Sequence, residues 1–303
     1  MAYKPRIESK ELKILKALHK RMKLSEKDKQ HFFNLKKGYE GEVMFDKLTE
    51  KLQCDCLILN DLLFKVKNTT VQIDSLIITT GRIYFYEIKN SDGDYFIESN
   101  TNRFYKKPKI EYINPLLQLN RSDSLLRQLL QNIGYNFPIE AQVVFINPEF
   151  TLYQAPLDSP IIFPTQINSY MRKFDLNPYK LNGKDKRLAS KLISLHIEEN
   201  PYTILPDYEF TKLRKGITCE VCDLFSINVN GKICHCGDCG HKELVTAAVL
   251  RNVSEIRLLF PEMKITTNLV YDWCVVIEIK RTIKRILVRN YKQIGVHQWT
   301  YYE

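Results

Sequence analysis

The chain has 303 residues, enough for two or three domains with real cores. With 44% hydrophobic and 26% charged residues it has the composition of a folded globular protein, which excludes a disordered or collagen-like chain. A formal net charge of +10 and a pI near 9.0 point to a polyanionic partner, nucleic acid ahead of membrane. The opening residues, Met1 to Ile7, hold no apolar signal core, and no run is long enough to span a bilayer. The expectation is therefore a cytoplasmic protein with no membrane contact. In that reducing compartment the eight cysteines read as metal ligands sooner than as disulfides.

Residues 1–36 read as a basic helix with apolar Leu12, Ile14, Leu15, Leu18 and Met22, followed by a second short helix. No chemistry is assigned to them, and His19 and His31 are expected at the surface. Gly38 is predicted to open a helix that runs to about Gln53, with Met44, Leu48 and Leu52 as its buried stripe. Glu42 then falls in the first turn, where a carboxylate favours the positive end of the helix dipole. Leu57 to Val66 is the first predicted strand.

Gln72 to Asn90 is predicted to form two strands joined at Thr80-Gly81, since both halves are rich in Ile, Tyr and Phe. That turn sets Asp74 opposite Glu87 and Gln72 opposite Lys89. Side chains two apart on a strand share a face, so the four polar groups gather on one patch. Facing carboxylates repel each other, and a hard divalent cation such as Mg²⁺ between them removes that cost. The plain alternative is a solvated hairpin face. Against it, the polar residues interrupt strands apolar enough to be buried on both sides.

Ser91 to Asp94 reads as a turn and Tyr95 to Glu98 as a further strand. Arg103, Lys106, Lys107 and Lys109, interleaved with Phe104, Tyr105 and Tyr112, read as a loop with the composition of a phosphate-contacting rim. Asn114 is a good N-cap and Pro115 suits the first position of the next helix, which carries Gln118 one turn in. Ile139 to Ile146 is predicted as the final core strand.

Gly38-x-x-Gly41-Glu42, Gln72-Ile-Asp74, Glu87-Ile-Lys89-Asn90-x-x-Gly93 and Asn114-Pro-Leu-Leu-Gln118 together resemble the nuclease-related domain (NERD), of the PD-(D/E)XK nuclease superfamily. The resemblance covers roughly residues 36–150. It implies a restriction-endonuclease-like mixed sheet flanked by helices and a Mg²⁺- or Mn²⁺-dependent site that cleaves phosphodiesters. Asp74 and Glu87 match the metal-binding carboxylates, and the carbonyl of Ile88 is an extra ligand in the superfamily. Lys89 matches the lysine that orients the attacking water or stabilises phosphate charge. Glu42 matches the acidic residue of the first helix and Gln118 the glutamine of the following one. The family often has a Trp after Gly93, where this chain has Phe104 or Tyr105.

Residues 151–213 carry no motif and read as a helical connector, in which His196 is structural. Cys219-x-x-Cys222 and Cys236-x-x-Cys239 then have the spacing of a zinc ribbon, two knuckles sharing one tetrahedral Zn²⁺. Cys234, His235 and His241 compete if the second knuckle slips. Cys54, Cys56 and Cys274 lack partners at ligand spacing and read as small buried hydrophobes. So short a segment depends on the metal for its folding energy.

From Leu244 the pattern becomes helical up to Pro261. A second helix is capped by a Thr near Ile265, and a third over Thr282 to Tyr291 carries Lys284, Arg285 and Arg289. With a terminal strand from Gln298 to Tyr302, this order resembles a winged helix-turn-helix with its basic helix in the DNA major groove.

The expected organisation is a basic helical segment (1–36), a nuclease-related domain (37–150), a connector (151–213), a zinc ribbon (214–243) and a winged helix-turn-helix-like module (244–303). The expected function is a metal-dependent nuclease acting on DNA, with Arg103, Lys106, Lys107, Lys284, Arg285 and Arg289 as nucleic-acid contacts. RNA and a protein partner stay open. The alternatives are a catalytically silent nucleic-acid binder on a nuclease fold and a protein-binding scaffold.

Overall fold

The computed structural model describes residues 1–98 and 100–303, apart from the side chain of Gln298. In chain order, helices α1 (Lys10–Arg21) and α2 (Glu26–Thr49) precede strands β1 (Leu57–Val66), β2 (Thr69–Thr79), β3 (Arg82–Lys89), β4 (Gly93–Glu98), β5 (Arg103–Lys106) and β6 (Ile110–Tyr112). Helix α3 (Pro115–Asn132), strands β7 (Ile139–Phe145), β8 (Phe150–Tyr153) and β9 (Ile161–Ile162), and helices α4 (Ile167–Asp175) and α5 (Gly183–Leu195) follow. The rest comprises β10 (Ile227–Asn230), β11 (Ile233–Cys236), β12 (Lys242–Leu244), α6 (Val245–Leu259), α7 (Thr267–Cys274), α8 (Lys280–Asn290), β13 (Gln293–Ile294) and β14 (Tyr301–Tyr302). The chain divides into two compact units, one of Met1–Glu8 with Phe33–Tyr202 and one of Ser9–Phe32 with Thr203–Glu303. Among the described residues no helix is long and apolar enough to cross a membrane.

The first unit has the mixed α/β architecture of a restriction-endonuclease-like fold. Its main sheet runs β1-β2-β3-β7-β9, antiparallel across β1, β2 and β3 and parallel from β3 through β7 to β9. Both faces are covered. Leu59, Phe85 and Val143 lie in one core with Leu126 and Leu130 of α3 and Leu188 and Leu192 of α5. Ile77, Tyr86 and Val144 lie in the other with Phe45 of α2 and Phe174 of α4. Burial on both faces explains why these strands read as nearly unbroken apolar runs. A second sheet, β6-β5-β4-β8, adds Tyr95, Ile97, Phe104 and Phe150 to the first core.

Four local expectations are corrected. The helix bearing Glu42 starts at Glu26, where the Ser25 hydroxyl accepts the Asp28 N–H at 3.1 Å, so Glu42 lies mid-helix and the dipole argument lapses. Its buried contact is Phe45, while Met44 is 40% exposed. Residues 103–112 form a hairpin with Phe104 and Tyr105 buried, not a loop. Gln72 faces β1, pairing with Leu63 and donating to Asp61 Oδ1 at 3.1 Å, because β2 has left β3 by then. Helices α4 and α5, beyond the motif-bearing stretch, belong to the two cores of the same unit.

In the second unit, α1 buries Leu12, Ile14, Leu15 and Leu18, and α6, α7 and α8 bury Val253, Ile256, Trp273, Ile283 and Leu287. Arg21 is buried but not isolated. It pairs with Glu255, donates to the carbonyls of Arg214 and Gly216 at 2.8 and 3.1 Å, and lies 4.2 Å from the Trp273 ring. Strands β10, β11 and β12 form a small antiparallel sheet. The Thr266 hydroxyl caps α7 by accepting the Leu269 N–H. The strand expected from Gln298 is confined to Tyr301–Tyr302, paired with β13 after a 3₁₀ turn at His297–Trp299. The C-terminal part is thus three helices, α6, α7 and α8, followed by the two-stranded β13-β14 sheet.

Candidate active site and metal centre

Asp74 sits where two ladders release the backbone. Pairing of β2 with β3 ends at Ser75↔Tyr86. Pairing of β1 with β2 skips one rung between Asn60↔Ser75 and Leu62↔Ile73, at Asp61, which has φ +53°. A side chain replaces the lost ladder bond: Asp74 Oδ2 accepts the Ile88 N–H at 2.8 Å. Glu87, directly across in the same register, is 2% exposed. Its Oε1 accepts from Lys89 Nζ at 2.8 Å, and Lys89 Nζ also donates to Gln118 Oε1 at 2.9 Å. Gln118 reaches this point because Asn114 caps α3, its side chain accepting the Leu116 N–H while donating to the Asn102 carbonyl. The Lys89 carbonyl accepts from Ile146, on the β7 side. Backbone groups alternate along a strand, so the Ile88 carbonyl faces the side where β2 has departed.

Glu42 comes to the same place from α2. Its Oε2 accepts from Arg6 Nη1 at 2.6 Å, and Arg6 also binds Asp46 through Nε and Nη2 at 2.9 and 3.1 Å. Arg6 Nη2 donates to the Asp74 carbonyl at 2.7 Å as well. Nothing local in the sequence marks Arg6, which lies in a segment read as having no chemistry. Asn90, part of the motif but given no role in the sequence, donates its side chain to the Lys37 carbonyl and accepts from Asn147.

The electrostatics are those of a crowded acidic site. Burial, and then the charge of Asp74, push Glu42 up to about 8, with Arg6 opposing. Burial and Asp74 likewise push Glu87 up to about 7, with Lys89 and Gln118 opposing. Burial also raises Asp74, against the pull of Lys89 and the Ile88 N–H. Two carboxylates and a backbone carbonyl are donors of the kind that a hard cation takes, since Mg²⁺ takes one or two carboxylates and completes its shell with water and phosphate. In this structure the neutralising charge beside Glu87 is Lys89 Nζ.

The basic residues expected to touch nucleic acid fall into two groups. Arg103 lies 3.6 Å from Glu111, Lys106 3.5 Å from Asp92 and Lys107 4.0 Å from Asp94. Lys284, Arg285 and Arg289 are exposed on one side of α8, whose apolar side is Ile283, Ile286 and Leu287. Among the described residues none of these three has a carboxylate partner.

In the second unit Cys219, Cys222, Cys236 and Cys239 bring their sulfurs within 4.8 Å of one another. The closest pairs, Cys219 with Cys239 and Cys222 with Cys236, are each 3.5 Å apart. Among the described residues this is the one set of three or more His, Cys, Asp or Glu donors so closely grouped, so Glu42, Asp74 and Glu87 do not form a triad this tight. The Val221 N–H points at Cys219 Sγ at 3.4 Å, as a thiolate knuckle requires. Cys234 pairs across strands with Val229 and Glu243, His235 with Asn228 and Lys242, and His241 lies 3.6 Å from Glu220, all outside the cluster. Four convergent sulfurs fit a zinc ribbon.

A mixed sheet between helix layers, with an acidic pair and a lysine where two central strands separate, defines a nuclease-like domain. Residues 37–146 match the family model of the nuclease-related domain. Comparison with curated proteins and with solved structures returned no match.

Proposed function

We propose that the protein is a metal-dependent nuclease of the PD-(D/E)XK type that hydrolyses phosphodiester bonds of DNA. The observation that carries this is the buried Asp74–Glu87 pair at the parting of β2 and β3, with Lys89 held between Glu87 and Gln118. A Mg²⁺ or Mn²⁺ ion bound by Asp74, Glu87 and the Ile88 carbonyl would neutralise phosphate charge and lower the pKa of a bound water. Lys89, oriented by Gln118, places a proton donor and a positive charge at the reacting phosphate. Glu42 adds a third carboxylate from α2. The cysteine cluster holds a structural Zn²⁺, and thiolate ligands suit a reducing cytoplasm. The α8 cations Lys284, Arg285 and Arg289 contact the DNA backbone and groove, supported by Arg103, Lys106 and Lys107.

A second reading has one observation in its favour. Lys89 already neutralises Glu87, as it would in a silent nucleic-acid binder on a nuclease fold. Incubation with linear and circular, single- and double-stranded DNA and RNA, with Mg²⁺, Mn²⁺ or EDTA, separates the two. The nuclease reading expects cleavage that EDTA abolishes. Salt-sensitive binding with no cleavage under either metal would favour the silent binder.

A further inference from the structure

We infer that Arg6 is a positioning residue of the hairpin site, holding Glu42 and the Asp74 backbone in the arrangement that receives a divalent cation. The inference rests on the nuclease reading above. It begins with the first eight residues, which belong to the same unit as the hairpin. Lys4 forms a parallel bridge to Leu59 on the free edge of β1, with the Lys4 N–H on Ile58 O at 3.1 Å and the Asn60 N–H on Lys4 O at 3.0 Å. Its ammonium group donates to the carbonyls of Asn60 and Asp61 at 2.8 and 2.7 Å, beside the missing rung. This pins the segment and carries Arg6, two residues on, inward until its side chain is 3% exposed.

There Arg6 does three things with one planar group. It grips Asp46 with two bonds, takes Glu42 Oε2 with a third, and donates to the Asp74 carbonyl. Glu42 and Asp46 stand one turn apart on α2, where like charges repel, and the guanidinium between them removes that repulsion. The Asp74 carbonyl belongs to the rung that both ladders omit, so without Arg6 it would be a buried acceptor lacking a partner. By taking Oε2, Arg6 fixes the direction of the carboxylate. A lysine supplies the charge but not the fork of donors. A purely structural clamp would need only Asp46. The contacts to Glu42 and Asp74 tie this arginine to two residues of the acidic patch.

The test compares wild type, Arg6→Lys and Asp46→Asn, with Arg6→Ala as a further variant where it folds, all with equal zinc content. Mn²⁺ binding by calorimetry, DNA affinity, Mn²⁺-dependent cleavage and thermal melting are read on each. Arg6→Lys is expected to melt within a few degrees of wild type, to bind Mn²⁺ about tenfold or more weakly, and to need correspondingly more Mn²⁺ for half-maximal cleavage, with DNA affinity unchanged. Asp46→Asn, which leaves the Glu42 and Asp74 contacts in place, is expected to lower the melting temperature while keeping Mn²⁺ affinity within about threefold, short of the range for supporting residues. Mn²⁺ affinity in Arg6→Lys equal to wild type, with only the melting temperature changed, would reduce Arg6 to a structural clamp and overturn the assignment. Glu87→Gln, measured beside them, separates the two failures: Mn²⁺ bound equally by wild type and Glu87→Gln, or by neither, overturns the nuclease reading itself, and the assignment with it.

Discussion

At the scale of single residues, the hairpin carboxylates are held against their own preference for water. Burial, and then the charge of Asp74, raise Glu87 from its ordinary 4.5 to about 7 and Glu42 to about 8. Across that window the folded, cation-free protein binds more protons than the unfolded chain. The stability these two groups contribute is therefore fully present below about 4.5 and is lost as pH rises toward 8. The melting temperature of protein free of Mg²⁺ and Mn²⁺ should fall between pH 5 and pH 8 more steeply in wild type than in Glu87→Gln. Added Mn²⁺ should flatten the wild-type curve and release protons in a calorimetric titration. Equal slopes in the two proteins would count against a strained acidic pair. The grouping of Asp74, Glu87 and Lys89 was legible in the sequence because strand alternation and a two-residue turn are local rules, whereas Gln118 was singled out only through the family resemblance. Arg6 was not legible, because its partners Glu42 and Asp74 lie 36 and 68 positions away and no periodicity links them.

At the scale of elements, α2 shows tertiary contact overruling local propensity. Gly38 and Gly41 read as a helix start because glycine is costly inside a helix, yet both lie within one continuous helix. The Ser25-x-x-Asp28 cap was the signal that placed the true start. The two glycines have different reasons to be there. A Cβ at Gly41 would stand 2.5 Å from the Asn90 Cβ and 3.2 Å from Ile146, so α2 passes close over the end of β3 only because Gly41 has no side chain. A Cβ at Gly38 meets nothing within 4 Å. Gly41→Ala should destabilise by about 1–3 kcal/mol, the cost of overpacking, and Gly38→Ala should stabilise by up to about 1 kcal/mol through helix propensity. Denaturant unfolding of the two variants beside wild type checks both, and a Gly41→Ala as stable as wild type would mean the close approach is not there. The hairpin register from Thr79↔Arg82 to Ser75↔Tyr86 follows directly from a loop at Thr80-Gly81, whereas the departure of β2 at Asp74 depends on long-range partners and left Gln72 misplaced. The strand character of residues 103–112 was hidden because their basic side chains dominate the composition while Phe104 and Tyr105 turn inward.

At the scale of the whole molecule, chemistry and charge are divided between two units. The carboxylate site lies in the unit that holds residues 37–146, and Lys284, Arg285 and Arg289, without carboxylate partners among the described residues, lie with the cysteine cluster in the other. The net charge of +10 belongs to the chain as a whole, and the salt dependence of nucleic-acid binding measures how much of it is used. Arg285→Ala and Arg289→Ala should each weaken DNA binding across sequences and lower the slope of log affinity against log salt by about 1. Mn²⁺ binding at the hairpin should be untouched by either change. An unchanged slope in both would remove α8 from the nucleic-acid interface. The claim on which the rest depends is that Glu87 is a working member of a metal nuclease site. The most direct measurement is the rate of Mn²⁺-dependent DNA cleavage by wild type and Glu87→Gln, matched for zinc content and DNA affinity. The rate should fall by on the order of a hundredfold or more in Glu87→Gln, and cleavage at equal rates by the two proteins would contradict the account.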